Sequence, residues 1–405
     1  MAAKQTSFAL VLALWAAGLG AAAQYGKVSV IFDMLPGVYP AAGASLGFAV
    51  SLVGFVGILL GVVAGLVVAR VRYRRALLMA LWLGAVLSLF QSLLPPLPLL
   101  LVSRVIEGAS HLAIVVAAPT LIAQISAEKD RGFTLTLWGT FFGVAFAVLA
   151  VLGRPLALSY GPQAVFAAHG AYMAGCALYL SSRLRRLPDE GPQPVFSLLR
   201  VLRDHVAIYR SPRQSAAGLG WLFYTFSFVS ILTVLPPYLD PGLRGWIMGA
   251  MPLVSIAVSM TAGVALLRRI AAVRVVELGF AGSLAAALWL WASPGAPLAC
   301  LALAAAMGLI QGASFAAVAQ LNDTAASQAR ANGAMAQMGN LGNTIGTPVM
   351  AAGLIWLGYA ALPVLAGALS WPGCWSTCGW GSAAPPECSS LVLILSLENP
   401  ACAPM

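Results

Sequence analysis

Charge is what this chain has least of. Of its 405 residues, 8% are Asp, Glu, Lys or Arg, while 60% are hydrophobic. A soluble domain carries about a quarter charged residues. That excludes a soluble enzyme and a disordered chain. Cysteine is sparse as well. Of six, Cys176 and Cys300 stand as buried singles, and Cys374, Cys378, Cys388 and Cys402 crowd the last 32 residues without zinc spacing. A secreted disulfide scaffold is thereby excluded, and no metal site is expected. The chain has no P-loop, no dinucleotide fingerprint and no HExxH, so no cofactor is expected and nothing supports an enzyme strongly. Ten-residue alternating segments are missing too, which excludes a membrane β-barrel.

What the chain does have is apolar runs of helical length, broken by Gly/Pro or Arg clusters. They lie at about 7–33, 44–69, 75–94, 98–124, 132–153, 163–182, 214–236, 245–267, 274–292, 297–320 and 333–356, with an irregular twelfth from 359. Twelve spans of about 22 residues use roughly 264 positions. Lipid offers no partner to a backbone amide, so each span must be a helix. The expected fold is an all-α membrane protein of twelve transmembrane helices, the twelfth incomplete, in two six-helix halves.

The formal charge of +10 would suggest nucleic acid in a soluble protein, but its distribution gives another account. With the N-terminus cytoplasmic, 18 of the 22 Lys and Arg fall on the cytoplasmic side, and only Lys27, Arg104, Arg154 and Arg244 do not. That asymmetry orients an integral protein of the plasma (inner) membrane facing anionic lipid, with no nucleic-acid partner. The first residues also imitate a cleavable signal peptide, with Lys4 followed by an apolar stretch and Ala21-Ala22-Ala23. The apolar pattern, however, continues to about Phe32. The Pro- and Arg-rich segment 183–213 reads as a cytoplasmic linker with a short helix around 195–210, dividing a half at 1–182 from one at 214–370.

The halves repeat. Ile106-Glu107-Gly108-Ala109-Ser110-His111 matches Ile310-Gln311-Gly312-Ala313-Ser314-Phe315 at an offset of 204 residues. Gly65 with Arg70 matches Gly263 with Arg268 at 198, and Gly139-x3-Gly143 pairs with Gly342-x3-Gly346. Three matches in one order argue for parallel repeats.

With these features the chain resembles the major facilitator superfamily of secondary transporters over about residues 7–369. That family's loop between helices two and three carries Gly, three residues, Asp, Arg, one residue, Gly, then basic residues. Gly65, Arg70, Arg74 and Arg75 fit, whereas Ala69 replaces the Asp and Arg72 the second Gly. The resemblance makes this loop a cytoplasmic gate. Arg104 and Gly108 fit the family's fourth-helix pattern. The fifth-helix antiporter signature needs a Gly-Pro pair that Gly139 and Gly143 lack.

Charged residues inside a membrane are by default functional candidates. Arg104, Glu107 and His111 share one helical face by spacing. Such a carboxylate can exchange a proton, or it can be a structural ion pair with His111 satisfied elsewhere. The tenth span has Gly308, Gln311 and Phe315 at the corresponding positions, so packing alone does not require the charges. On the first span Gln24, Tyr25, Lys27 and Asp33 interrupt apolar sequence; Lys27 could attract an anionic group or pair with Glu107, and Asp33 could be a solvated end. His169, Tyr172, Tyr224 and Gln320 are weaker candidates to line a cavity. Close glycines such as Gly54-Gly57-Gly61-Gly65 and Gly339-Gly342-Gly346, with Pro119 and Pro348, suit bundles that pack tightly and rock.

From Trp371 the sequence turns into Trp-Pro-Gly-Cys-Trp-Ser-Thr-Cys-Gly-Trp-Gly. Trp and Cys codons fix much of the coding sequence, and reading it one base earlier from Ser370 yields Leu-type residues, Ala and Gly. The tail 371–405 therefore reads as frameshifted, with a divergent Cys-rich tail as the alternative. The expected function is secondary active transport of a small solute by alternating access, coupled to protons through Glu107. The partners are that small-molecule substrate, protons and membrane lipids. A polytopic enzyme acting on a lipid, or a signalling or scaffold protein, is the alternative.

Overall fold

A computed structural model describes residues 5–61, 64–185 and 206–368. Among the described residues, eleven helical stretches are long and apolar enough to cross a bilayer. They are α1 (Phe8–Val38), α2 (Gly43–Leu60), α3 (Tyr73–Gln91), α4 (Leu97–Ile125), α5 (Phe141–Tyr160), α6 (Pro162–Leu184), α7 (Pro212–Val234), α8 (Arg244–Leu267), α9 (Ala272–Ala292), α10 (Pro297–Leu321) and α11 (Arg330–Ala368). Each lies where an apolar run predicts one. The chain is an integral membrane protein, and its outward-facing Leu59, Met79, Leu152 and Leu298 present the apolar surface that lipid requires.

Several spans are irregular where the sequence reading had them continuous. In α2, Leu52–Gly54 tightens to a 3-10 turn, and α5 and α8 carry π-turns at Leu149–Gly153 and Ser259–Gly263. The helix entering α11 starts at Ala325, runs to Leu357 and breaks at Gly358, whose φ of +58° suits a residue without Cβ. Residues 361–368 are helical again and begin the expected twelfth span. Its remainder, the tail from Trp371 and residues 186–205 of the expected linker lie outside the described residues; 206–210 are helical, within the predicted linker helix.

The repeat is visible in the packing. A Cβ on Gly108 of α4 would stand 2.5 Å from the Val53 carbonyl of α2. One on Gly312 of α10 would stand 2.4 Å from Ser259 Oγ of α8. The matched glycines are thus the points where α4 crosses α2 and α10 crosses α8. Helices α1, α3, α4 and α6 pack together, as do α7, α9, α10 and α11, and the two groups meet through α2 on α11, α5 on α8 and α1 on α7.

These meetings are uneven along the bundle. Toward the end of the bundle that holds Ser29, one buried core runs through both groups, from Ile31 and Leu46 to Leu232 and Met248. There Ser29 Oγ and Thr233 Oγ1 are hydrogen-bonded at 2.5 Å, and Gly47 abuts the Pro348 backbone. Toward the end that holds Arg72, each group has a separate core, Leu14, Leu77 and Leu121 in one and Val318, Ala331 and Met335 in the other. Among the described residues, the halves share one core at the Ser29 end and keep separate cores at the Arg72 end.

Candidate functional site

Lys27 and Glu107 meet in the middle of the first group of helices. Both are fully buried, with Lys27 Nζ 2.6 Å from Glu107 Oε1. Lys27 also donates to Ser88 Oγ of α3 at 2.6 Å. Arg104, one turn before Glu107 on α4 and likewise fully buried, donates from Nη1 to Glu107 Oε2. Gln91 Nε2 of α3 reaches the same oxygen at 2.9 Å and Ser103 Oγ at 3.1 Å. The other Arg104 donors go to backbone carbonyls, Nε to Ala49 at 2.7 Å and Nη2 to Gln24 and Val50. Helices α1, α2, α3 and α4 are thereby tied to one carboxylate. Two cations against one carboxylate leave a surplus positive charge when all three are ionised, a costly arrangement in lipid unless every donor is engaged.

The histidines exchange the parts expected of them. His111 does not join the ion pairs: its Nδ1 lies 2.9 Å from the Ala21 carbonyl, and its ring stands edge-on to Tyr25 at 5.1 Å. The reason is depth, since residue 111 lies about 6 Å further along α4 than Glu107 and meets α1 at Ala21 rather than at Lys27. His169 of α6, expected only as a weak cavity residue, enters instead. Its Nδ1 is 2.7 Å from Ser88 Oγ and 3.4 Å from Lys27 Nζ, and its Nε2 is 2.9 Å from the Gly20 carbonyl. The carbonyl can only accept, so Nε2 carries the proton and Nδ1 is the acceptor.

The side chains of other expected residues are placed apart from the cluster. Gln311 lies in the second group of helices, where Ser255 Oγ donates to its Oε1 at 3.4 Å. Gln24 donates to Ser110 Oγ at 2.9 Å. Asp33, expected as a possible solvated end, forms a two-pronged ion pair with Arg154. Gln320 accepts from the Ala272 amide at 2.8 Å and so caps the start of α9. Tyr172 is 40% exposed and donates to the Ala16 carbonyl. Cys176 is half-buried rather than buried.

Tyr25 is fully buried, and its hydroxyl meets a side chain of the other group of helices. It lies where the two helix groups meet, since a Cβ on Gly54 would stand 2.8 Å from it and 2.3 Å from Thr344 Oγ1 of α11. Asn343, one residue earlier on α11, is the side chain that the Tyr25 hydroxyl meets. From Tyr25 an aromatic seam runs between the groups. Its ring is 6.0 Å from Phe142 of α5; Phe142 and Phe146 lie 6.4 and 6.3 Å from Phe228 of α7. Phe228 stacks on Tyr224, Tyr224 on Trp221, and Trp221 meets Phe315 of α10 at 5.1 Å. Phe146, Tyr224 and Phe228 are buried, Trp221 is half-buried and Phe315 is 55% exposed, so the seam opens toward the Arg72 end. Trp221, Tyr224 and Phe228 recur at helical spacing, the signal that marks this face, of which only Tyr224 was expected.

At the Arg72 end, Gly65 and Arg70 lie in the helix Ala64–Val71, and Arg74 and Arg75 open α3. Arg70 and Arg75 are exposed, while Arg74 Nη1 donates to the Leu184 carbonyl at 3.2 Å, closing the C-terminus of α6. Arg72 has a φ of +76°, so a glycine-favouring backbone is kept although the glycine of the resembled pattern is replaced.

Comparison with known proteins bears on this arrangement. No curated protein sequence matches the chain. Among solved structures, a bacterial homolog of the human lysosomal transporter Spinster, inward-facing and unoccupied, superposes with a TM-score of 0.71 at 13% identity, covering 92% of this chain and 96% of that one. The same homolog in its inward-facing occupied conformation gives 0.71 at 14% identity, covering 92% and 96%. The transporter FucP in its outward conformation gives 0.62 at 18% identity over 91% of this chain and 98% of its own. These likenesses carry the fold. Residues 5–347 match the sequence pattern of one family of transporters, and the chain belongs to the Major Facilitator Superfamily.

Proposed function

We propose that this secondary transporter moves a small solute by alternating access and that a proton drives it through the Lys27–Glu107–Arg104 cluster. The carrying observation is the buried surplus cation: two basic side chains share Glu107, with the Lys27 ammonium and each Arg104 nitrogen hydrogen-bonded. The repeat has Gly308, Gln311 and Phe315 in the equivalent places, so the charges serve one half only. Charge balance refines the expectation about Glu107. A proton added there would leave Lys27 and Arg104 buried without a counter-ion. A proton released from Lys27 leaves a neutral Arg104–Glu107 pair, with Ser88 and His169 still able to hydrogen-bond the amine. Lys27 is therefore the coupling group and Glu107 its fixed counter-ion, with Arg104 holding the carboxylate in place.

The basic loops favour a cytoplasmic N-terminus and a cytoplasmic 183–213 segment in an inner membrane. On that orientation the Arg72 end faces inward, and two separate cores there against one shared core at the Ser29 end favour an inward-open state. The 1–182 and 214–370 segments are the two rocking halves. The test is solute uptake into proteoliposomes with and without an imposed pH gradient. Uptake that follows the gradient in the native chain and loses that dependence in Lys27→Met supports the reading. Gradient-independent uptake in the native chain overturns the coupling.

A further inference from the structure

We infer that Lys27 exchanges its proton with solvent through Ser88 and His169, a relay that ends on the Arg72 side of the cluster; this rests on the proton-driven reading above. The hydrogens of this line can point only one way. An ammonium only donates and a carbonyl only accepts, which fixes both ends. Lys27 Nζ donates to Ser88 Oγ at 2.6 Å, so the single Ser88 hydrogen is left to donate onward. Its nearer acceptor is His169 Nδ1 at 2.7 Å, against 3.4 Å for Glu107 Oε1. His169 Nε2 in turn donates to the Gly20 carbonyl at 2.9 Å. Lys27, Ser88 and Glu107 are fully buried, whereas His169 keeps 5% exposure. Gly20 precedes Lys27 by two turns of α1, about 10 Å toward the Arg72 end.

The alternative acceptor is a dead end. A proton passed to Glu107 Oε1 meets only donors beyond it, because Oε2 is held by Arg104 and by Gln91 Nε2. Through Ser88 the transfer balances. An Nζ–H bond of Lys27 breaks as Ser88 Oγ takes that proton, and the Ser88 hydrogen passes to His169 Nδ1. Lys27 is then a neutral amine and His169 a cation, so the charge of the cluster is unchanged and has moved toward the Arg72 end. Loss of the Nε2 proton to water leaves His169 neutral and protonated at Nδ1. Reloading reverses the path: a proton from water enters at Nε2, and the Nδ1 proton returns through Ser88 to Lys27. The other titratable groups around His169 have partners of their own. On α4, Arg104 and Glu107 pair with each other and His111 meets the Ala21 carbonyl. Arg154 of α5 holds Asp33. On α6 itself, Tyr172 donates to the Ala16 carbonyl and meets Cys176.

The chain has three lysines and three histidines, so selective labelling isolates the relay. In the full chain carrying Lys4→Arg and Lys129→Arg, isotope-labelled lysine reports Lys27 alone. Nuclear magnetic resonance in lipid nanodiscs then follows the exchange of its Nζ hydrogens with heavy water. His169→Gln keeps an acceptor for Ser88 and a donor for Gly20 but cannot carry a proton. Ser88→Ala breaks the line, and Ser88→Thr restores a hydroxyl. Exchange should slow roughly tenfold or more in His169→Gln and Ser88→Ala and stay near the native rate in Ser88→Thr. Labelled histidine in the native chain should show His169 protonated at Nε2 and bare at Nδ1. Thermal melting shows which variants have folded; should Ser88→Ala fail to fold, His169→Gln decides alone. A purely structural role predicts the opposite sign, because a loosened site exchanges faster. Unchanged or faster exchange in His169→Gln, or a resting His169 protonated at Nδ1, overturns the relay. Slowed exchange in a chain whose solute uptake ignores the pH gradient would leave the relay standing and bring down the proton-driven reading instead.

Discussion

At the residue scale, Glu107 and Lys27 should respond to substitution in opposite ways. Glu107→Gln leaves Arg104 and Lys27 buried without a carboxylate. Breaking a buried pair in this manner costs about 3–5 kcal/mol, so this variant should lose much of its thermal stability and membrane yield. Lys27→Met leaves the Arg104–Glu107 pair neutral as a whole and should melt nearer the native chain. Thermal melting of the two proteins decides between them; if Glu107→Gln is the more stable, the fixed counter-ion role is wrong. Arg72 offers a backbone test. A non-glycine residue at φ +76° stores about 1–3 kcal/mol of strain. Because Arg72 also has side-chain interactions, the informative comparison is Arg72→Gly with Arg72→Ala, which lose the same side chain. The glycine variant should melt higher, and equal melting would show that the loop is unstrained.

At the element scale, α11 packs two different faces. Gly339, Gly342 and Gly346 press it against α7 within its own half, with a Cβ on Gly342 only 2.4 Å from the Leu222 carbonyl. The face with Gln337, Asn340, Thr344 and Pro348 lies in the glycine groove of α2, where Gln337 Nε2 donates to the Ile58 carbonyl at 2.9 Å. The first contact lies within one half; the second joins the halves and is the one that the proposed rocking would part. Gly342→Val should therefore destabilise by about 1–3 kcal/mol as an overpacked core does. Gly47→Val, whose Cβ would lie 2.6 Å from the Pro348 Cα, should wedge open the Ser29 end instead. A cysteine at Thr233, buried in the closed state, should then react faster with an impermeant thiol reagent. A Gly47→Val protein with unchanged labelling and a large loss of stability would place α2 and α11 in one rigid unit.

For the whole molecule, orientation is the property most exposed to test. With the native cysteines replaced, Arg185→Cys should label only from the cytoplasmic face of sealed vesicles and Gly242→Cys only from the opposite face; both positions are exposed. Labelling of both from one side would refute the proposed arrangement of basic loops, because the two positions are separated by α7 alone.

The spans, the repeat and the family resemblance were legible in the sequence because lipid imposes them locally. A segment that crosses must hide its own backbone and carry apolar side chains for about 20 residues. A helix that crosses another closely must be small at the crossing, which is why Gly108 and Gly312 mark equivalent places. The pairing of Lys27 with Glu107 was foreseeable as a possibility, since few other charges lie in the spans. The choice of His169 over His111, the recruitment of Ser88 and Gln91, and the meeting of Phe142 with Phe228 depend on how α4, α6 and α7 are rotated and how deep each sits. Single-span periodicity does not fix those quantities. They follow from fitting all the helices together, where small residues set the distances of approach and each buried donor must find an acceptor. Composition and spacing determined that this chain is a two-fold repeated bundle of membrane helices, and only tertiary packing decided which side chains share its interior charge.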